Sequence, residues 1–452
     1  MPVQGEAGAN PAPTLPRALG QLEQGRNPIR EAQSAMSVRR RAAALAITAV
    51  LCGAAAPVAV AAPSPSPSTP DLPAGLYGTK DPTYDGVWRQ SLAFLAQKIE
   101  LVTPATQSVD WLVGQQCDSG AFPSYRDASK PCDAKTVADT NATAAAVQAM
   151  VELAVHREVV DNGVNWLKSV QNEDGGWGYN PGSPSDANST GVVAGALARA
   201  AVPLAEVTRK DGRTPYTALQ TFALPCGGED GGAFAYQPDK KGELTANADA
   251  TAAAVLGAMG KGMASGNYNA AKAPVCTEGS ELTPEQSAQN GAHYLARTLA
   301  GSGHLELPPM PGAEESAPQP DFGNTADAVV ALSAAGHKDK AAGAVAYLEK
   351  HAQGWAKEGG PAATAQLVLA AHATGTDARD FGGVDLVRQL NATGPAPAAT
   401  AVPSPTATAP EKPADTSSDD EGLGLWWIIG IGLAFGAGIG FLLSGRRKNQ
   451  QL

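Results

Sequence analysis

Between residues 84 and 392 the apolar positions recur at helical spacing, and two kinds of helix alternate. One kind is rich in alanine, valine, leucine and methionine and is apolar nearly all round, as in Thr143 to Ala154, Val192 to Ala201 and Thr251 to Met263. A helix with no polar face has to be covered on every side. The other kind runs into a glycine and aromatic turn. Trp111-Leu112 leads to Gly120-Ala121-Phe122, Trp166-Leu167 to Gly175-Gly176-Trp177, and Phe222 to Gly231-Gly232-Ala233-Phe234. Aligned on Gly120, Gly176 and Gly232, these segments repeat every 56 residues.

A polar motif follows each turn and opens the next apolar helix: Asp139-Thr140-Asn141-Ala142-Thr143, Asp186-Ala187-Asn188-Ser189-Thr190 and Asn247-Ala248-Asp249-Ala250-Thr251. Asp or Asn at the first position is a natural N-cap, because its side-chain oxygen accepts from the free backbone N–H groups of the first turn. Weaker copies pair Tyr294-Leu295 to Gly303 with Asn324-Thr325-Ala326-Asp327, and Tyr347-Leu348 to Gly354-Trp355 with Pro361 to Thr364. With an opening helix around Trp88 to Ile99 and a last one around Phe381 to Asn391, the pattern predicts twelve helices in six hairpins. The apolar members suit an inner layer and the others an outer one. Neither end has a polar capping repeat, so the expected fold is all-α, a closed α/α toroid of two concentric helix rings.

The string Gln171-Asn172-Glu173-Asp174-Gly175-Gly176-Trp177 resembles the Q-x-x-x-G-x-W repeat of the terpenoid cyclase and protein prenyltransferase superfamily. The first copy keeps Gln116, Gly120 and Phe122, whereas the third lacks the glutamine. The resemblance implies two helix rings around a central, usually apolar, ligand cavity. The chemistry of that superfamily does not carry over. A D-x-D-D proton donor is missing, since the only adjacent aspartates, Asp419 and Asp420, lie in a linker, and a D-D-x-x-D magnesium cluster and a D-x-C zinc pair are also missing. Only 5% of residues are aromatic, and four of those 24 rings sit near the C-terminus, which argues against holding a carbocation on ring faces. No catalytic residue, metal ligand or cofactor is therefore expected. In being an exported toroid with disulfides and no catalytic groups, the chain is also similar to the α/α barrel of the cobalamin carriers. It lacks their small β-domain, so a cobalamin site would need a second protein to close it.

The ends of the 452-residue chain look like targeting segments. Met36-Ser-Val with Arg39 to Arg41, the apolar run Ala42 to Leu51 and Ala59-Val60-Ala61 have the layout of a signal peptide over residues 36–62, with residues 1–35 upstream of the expected true start. Residues 63–75 form a Pro/Ser spacer, 76–393 the toroid, and 394–422 a Pro/Ala/Thr-rich linker. Residues 425–443 are uncharged and long enough to cross a bilayer, and Arg446-Arg447-Lys448 in the 444–452 tail favours a cytoplasmic C-terminus. The expected location is the cell membrane, single-pass, with the toroid outside. The charge fits this division. The net charge is -11, and Arg39, Arg40, Arg41, Arg446, Arg447 and Lys448 contribute +6, so residues 42–445 carry -11 - 6 = -17. Such a surface repels nucleic acid and anionic lipid.

Apart from Cys52 the cysteines are Cys117, Cys132, Cys226 and Cys276. An even number in an exported domain favours disulfides, and the sequential pairing closes loops within single repeats. Free thiols or zinc ligands are the other reading, although no C-x-x-C or paired histidines accompany them.

Inner-ring N-termini would gather at one end of the barrel. The candidate ligand-binding residues are therefore Asp139, Asn141, Asp186, Asn188, Asn247, Asp249, Asn324 and Asp327, with Trp177, Tyr179, Phe234 and Tyr236 as aromatic walls. The expected function is capture of a small amphipathic ligand, cobalamin-like or isoprenoid-like, without catalysis, with a transporter or a ligand-closing protein as partner. A diverged terpene cyclase or prenyltransferase and a surface scaffold are the alternatives. A carboxyl deep in the barrel would favour an enzyme; polar groups confined to the mouth would favour a binding protein.

Overall fold

The computed structural model describes residues 72–266, 272–307 and 318–398. Residues 1–62 and the expected membrane helix at 425–443 with its tail lie outside the described residues. None of the described helices is long and apolar enough to cross a membrane.

Thirteen α-helices occur among the described residues. In chain order the first seven are α1 (Gly86–Ile99), α2 (Thr106–Gly114), α3 (Thr140–Leu153), α4 (Arg157–Ser169), α5 (Ala187–Arg199), α6 (Pro215–Gln220) and α7 (Ala248–Ala258). The others are α8 (Pro284–Ser302), α9 (Phe322–Ala334), α10 (Ala342–His351), α11 (Gln353–Gly359), α12 (Pro361–Thr374) and α13 (Leu386–Asn391). A two-residue antiparallel ribbon, β1 (Leu305–Glu306) with β2 (Pro320–Asp321), leads into α9 and sets Leu305 opposite Asp321.

Helices α1, α3, α5, α7, α9 and α12 form the inner ring, each packed on the next, and α12 packs back on α1. The ring is therefore closed. Helices α2, α4, α6, α8, α10 and α13 lie outside, each against the inner helix of its own hairpin. The thirteenth helix, α11, corrects the expected count of twelve. The segment around Gly354-Trp355, expected to be an open glycine turn, is helical. The core lies between the rings and is built largely of alanine, with Phe94, Phe122, Trp177, Phe234 and Phe381 as its large members. Small side chains let inner helices approach closely. At the α5/α7 crossing a Cβ on Gly191 would stand 2.2 Å from the Ala253 carbonyl oxygen, and one on Gly257 would stand 2.7 Å from the Gly191 Cα.

Closure joins the two ends of the described chain. The Gly78 N–H donates to the Thr393 carbonyl at 2.8 Å. Gln97 Nε2 donates to Asn391 Oδ1 at 2.7 Å, and Arg379 pairs with Glu100. Two disulfides brace the outer loops with the sequential pairing: Cys117 to Cys132, Cα atoms 5.6 Å apart, and Cys226 to Cys276, 5.8 Å apart.

The turns explain the Q-x-x-x-G-x-W string. Gly120, Gly175 and Gly232 have φ near +90°, at +91°, +90° and +86°. A Cβ at each would lie 2.3 to 2.5 Å from a carbonyl oxygen of the next outer element. Glycine is required there for both reasons. Gly175, and not Gly176, is thus the equivalent turn residue, and the uniform spacing of 56 gives way to intervals of unequal length. Gln171 Nε2 donates to the Gly175 carbonyl at 2.8 Å and the Val207 carbonyl at 3.4 Å. Gln116 does the same to Gly120 and Val159, at 3.0 and 2.9 Å. Each glutamine ties its turn to the following repeat.

Candidate functional site

The polar motif divides its labour by position. The first residue caps the inner helix: Asp139 accepts from the Ala142 N–H at 2.8 Å, Asp186 from Ser189 at 2.6 Å and Asn247 from Ala250 at 2.8 Å. The threonine four residues on grips the preceding turn. Thr143 Oγ1 accepts from the Phe122 N–H at 2.8 Å, Thr190 from Trp177 at 3.0 Å and Thr251 from Phe234 at 2.9 Å. The second position, which neither caps the helix nor holds the turn, is left free to face the lumen.

In the fourth copy the register differs from the expected one. The cap is Asp321, which accepts from the Asn324 N–H at 3.0 Å, and Thr325 Oγ1 accepts from the Leu305 N–H at 2.9 Å. Asn324 therefore stands inside the first turn of α9. Asp327 stands about one turn deeper than the second-position residues of the other copies.

The inner ring encloses a cavity of about 370 Å³ that opens at this end. Its mouth carries Tyr84, Asp85, Trp88, Ser124, Asp139, Asn141, Tyr179, Asn188, Asp249 and Asn324. Asp327 and Gln366 lie on its wall about a turn deeper, and Leu92, Val192, Leu256, Met263, Val330 and Leu369 make the apolar part. Of the twelve expected residues the cavity thus gathers Asp139, Asn141, Tyr179, Asn188, Asp249, Asn324 and Asp327. The others lie elsewhere. Asp186 is a buried cap, Asn247 is exposed, and Tyr236 is 44% exposed outside the lining. Trp177 and Phe234 are 1% and 0% exposed and are packed in the core, where the Trp177 indole N–H donates to the Leu167 carbonyl at 2.8 Å. The threonine clip turns these rings into the space between the helix layers and away from the lumen.

Polar contacts in the lumen are few and specific. The Asn188 amide donates to Asp249 Oδ2 across the α5/α7 contact. Gln366 Nε2 donates to Asp327 Oδ2 at 2.9 Å, joining α12 to α9. Ser124 Oγ donates to Asp139 Oδ2 at 2.7 Å. Burial, with the charges of Asp321 and Asp186, raises the Asp249 carboxyl to about 6, against the pull of the Asn188 bond. Burial and then the charge of Asp249 raise Asp327 to about 8, so it is protonated at neutral pH. Burial and the adjacent Asp139 carboxylate push Tyr179 up to about 12. The lumen can therefore present hydrogen-bond acceptors at its mouth and a neutral carboxylic acid within. Among the described residues no group of three or more His, Cys, Asp or Glu is placed to hold a metal ion.

The sequence pattern did not lead to Tyr84, Asp85 and Trp88, at the start of α1, or to Gln366 on α12. Those two helices lack the Asp/Asn motif. Gln366 is detectable in retrospect, because it stands six residues after the cap Gly360 just as Asp327 stands six after Asp321.

Among known proteins, residues 134–208 match the family profile of the squalene-hopene cyclase C-terminal domain. No curated protein matches the chain in sequence. Solved structures similar to it include a protein from Actinoplanes, 15% identical over 67% of this chain and 93% of that one, with a TM-score of 0.42. Another is a sugar epimerase from a ruminal bacterium, 13% identical over 62% of this chain and 81% of that one, with a TM-score of 0.39. The profile match spans α3, α4 and α5, two inner helices and the outer helix between them. With that match set on a closed double ring of alternating helices, the chain is an α/α toroid, and its profile-matched segment resembles the terpenoid cyclase and protein prenyltransferase superfamily.

Proposed function

We propose that the chain is a membrane-anchored extracytoplasmic toroid that captures a small amphipathic ligand in its lumen. The observation that supports this most directly is the cavity of about 370 Å³ with a polar mouth and an interior that is apolar apart from Asp327 and Gln366. That size and division of surface are typical of small-molecule sites. The volume favours an isoprenoid-like ligand held within the ring over a corrin, which would lie across the mouth and need a second protein above it. Two disulfides agree with folding in an oxidising compartment. Anchoring rests on the sequence of residues 425–443 and the basic residues after it, and export on residues 36–62.

The test is native mass spectrometry of the mature full chain in lipid nanodiscs, offered a polyprenol and corrin panel. A bound mass from one class, with thermal stabilisation by that class, is expected. No bound mass and no stabilisation from either class would refute ligand capture and leave a surface scaffold.

A second reading has its own support in Asp327, a carboxyl inside the ring and not at its mouth. A diverged cyclase-like or prenyltransferase-like enzyme would use such an acid as a proton donor. Conversion of any panel member to a new mass, lost in Asp327→Asn, would favour that reading.

A further inference from the structure

Among the described residues lining the lumen are Asp85, Asp139, Asp249 and Asp327, and no lysine, arginine or histidine. Three of these carboxyls have a local reason to be negative. Asp85 pairs with Arg89 at 3.3 Å, Asp139 caps α3, and Asp249 sits in the first turn of α7, where the helix dipole favours an anion. Asp327 is different. It is the sixth residue of α9, beyond the first turn, and its hydrogen-bond partner Gln366 is neutral. A purely structural position of this kind would be better filled by a neutral side chain.

Two further features face the same space. Asn141 Oδ1 is buried without a hydrogen-bond partner, an acceptor still waiting for a donor. Tyr84, Trp88 and Tyr179 add ring faces, which attract cations. An anionic head such as a diphosphate would be repelled by the same surroundings. The lack of a metal-holding cluster among the described residues points to an organic cation.

On the binding role proposed above, we propose that the ligand's head is a cationic nitrogen seated at Asp249 and Asp327, with its apolar body against Leu256, Val330 and Leu369. The head donates hydrogen bonds to the two carboxyls and lies under Trp88 and Tyr179. Its positive charge draws the proton off Asp327, so binding releases a proton near neutral pH. The titratable groups acting on Asp327 are Asp249 from α7 and Asp321 at the start of α9, both acidic, while α12 contributes only the neutral Gln366.

The experiment is calorimetric titration of the full chain in lipid nanodiscs with octylamine, octanol and octanoate, using empty nanodiscs as the blank. Octylamine should bind more tightly than octanol, and octanoate should not bind. The octylamine affinity should rise on the order of 50-fold between about pH 6 and pH 8, as Asp327 becomes ready to ionise. Asp327→Asn should flatten that rise, and the pH series on the unmodified chain tests the idea even if the variant misfolds. Equal binding of octanol and octylamine, or an octylamine affinity independent of pH, would overturn the cationic head while leaving amphipath capture intact. Displacement of octylamine by magnesium chloride alone at constant ionic strength would assign the head site to a metal ion and overturn it too. Failure of all three octyl compounds, together with no polyprenol or corrin binding, would remove the binding role itself.

Discussion

Replacing Asp327 by Asn should stabilise the protein, and the gain should grow with pH. The Asp327 carboxyl titrates at about 8 in the folded chain against an ordinary value of 3.8. A carboxyl with a raised folded pKa binds more protons folded than unfolded between those two values. Its protonated form is therefore compatible with full stability below the unfolded pKa, and stability is lost as pH rises toward the folded value. Each pH unit in that interval is worth about 1.4 kcal/mol, so ionisation of the unfolded chain alone offers a gain of about 4 kcal/mol at pH 7. Partial exposure of Asp327 offsets part of this, and about 2 to 4 kcal/mol is expected from the substitution. Asn keeps the shape and the acceptor for Gln366 Nε2, which lies 2.9 Å from the carboxyl, so little is lost by the replacement. For a domain of this size the gain corresponds to a rise in melting temperature of about 3 to 6 °C. Thermal melts of both proteins followed by circular dichroism across about pH 4 to 8.5 provide the assay. The two melting curves should coincide near the acid end and separate steadily above it. A constant offset at every pH, or a variant that is less stable at neutral pH, would refute the placement of this carboxyl in a poorly solvated, negatively charged lumen.

Other substitutions separate the parts of the repeat. Gly120→Ala should cost more than about 2 kcal/mol in urea unfolding, because a strained φ adds to a clash; at Gly120 φ is +91° and the new Cβ would stand 2.3 Å from the Asn162 carbonyl oxygen. Gly182→Ala is its control, with φ +78° and nothing within 4 Å, and should cost only about 1 kcal/mol. Asp139→Ala, which removes the N-cap bond to Ala142, should cost about 1 to 2 kcal/mol in the same assay. Removing the disulfide between Cys226 and Cys276 as a double serine variant releases a closure of 50 residues. A loss of about 4 kcal/mol is expected from chain entropy, and an unchanged urea midpoint would contradict it.

The double ring was legible in the sequence because its causes are local. Apolar helices with no polar face demand an outer layer, and Asp139, Asp186 and Asn247 announce where three of them start. The lumen was legible only in part, because it is made where different repeats converge. Asn188 meets Asp249 and Gln366 meets Asp327 across helix contacts that no single repeat encodes. The aromatic residues misled for a definite reason. Trp177 and Phe234 follow a turn whose backbone is held by Thr190 and Thr251, and that hold sends the rings into the core. In the fourth copy several candidate caps stand close together, and the threonine at Thr325 was the signal that picks Asp321 over Asn324.

Closure of the ring also orders events in time. Helix α1 emerges first during synthesis, yet one of its two inner-ring neighbours, α12, belongs to the final hairpin. An open array could lock each repeat as it appears, whereas here the apolar face of α1 stays uncovered until nearly the whole domain exists. The nascent chain therefore needs protection for most of its passage. A truncation after α10 would leave two sticky ends and not merely a shorter protein, and such ends invite pairing between molecules by exchange of the missing hairpin.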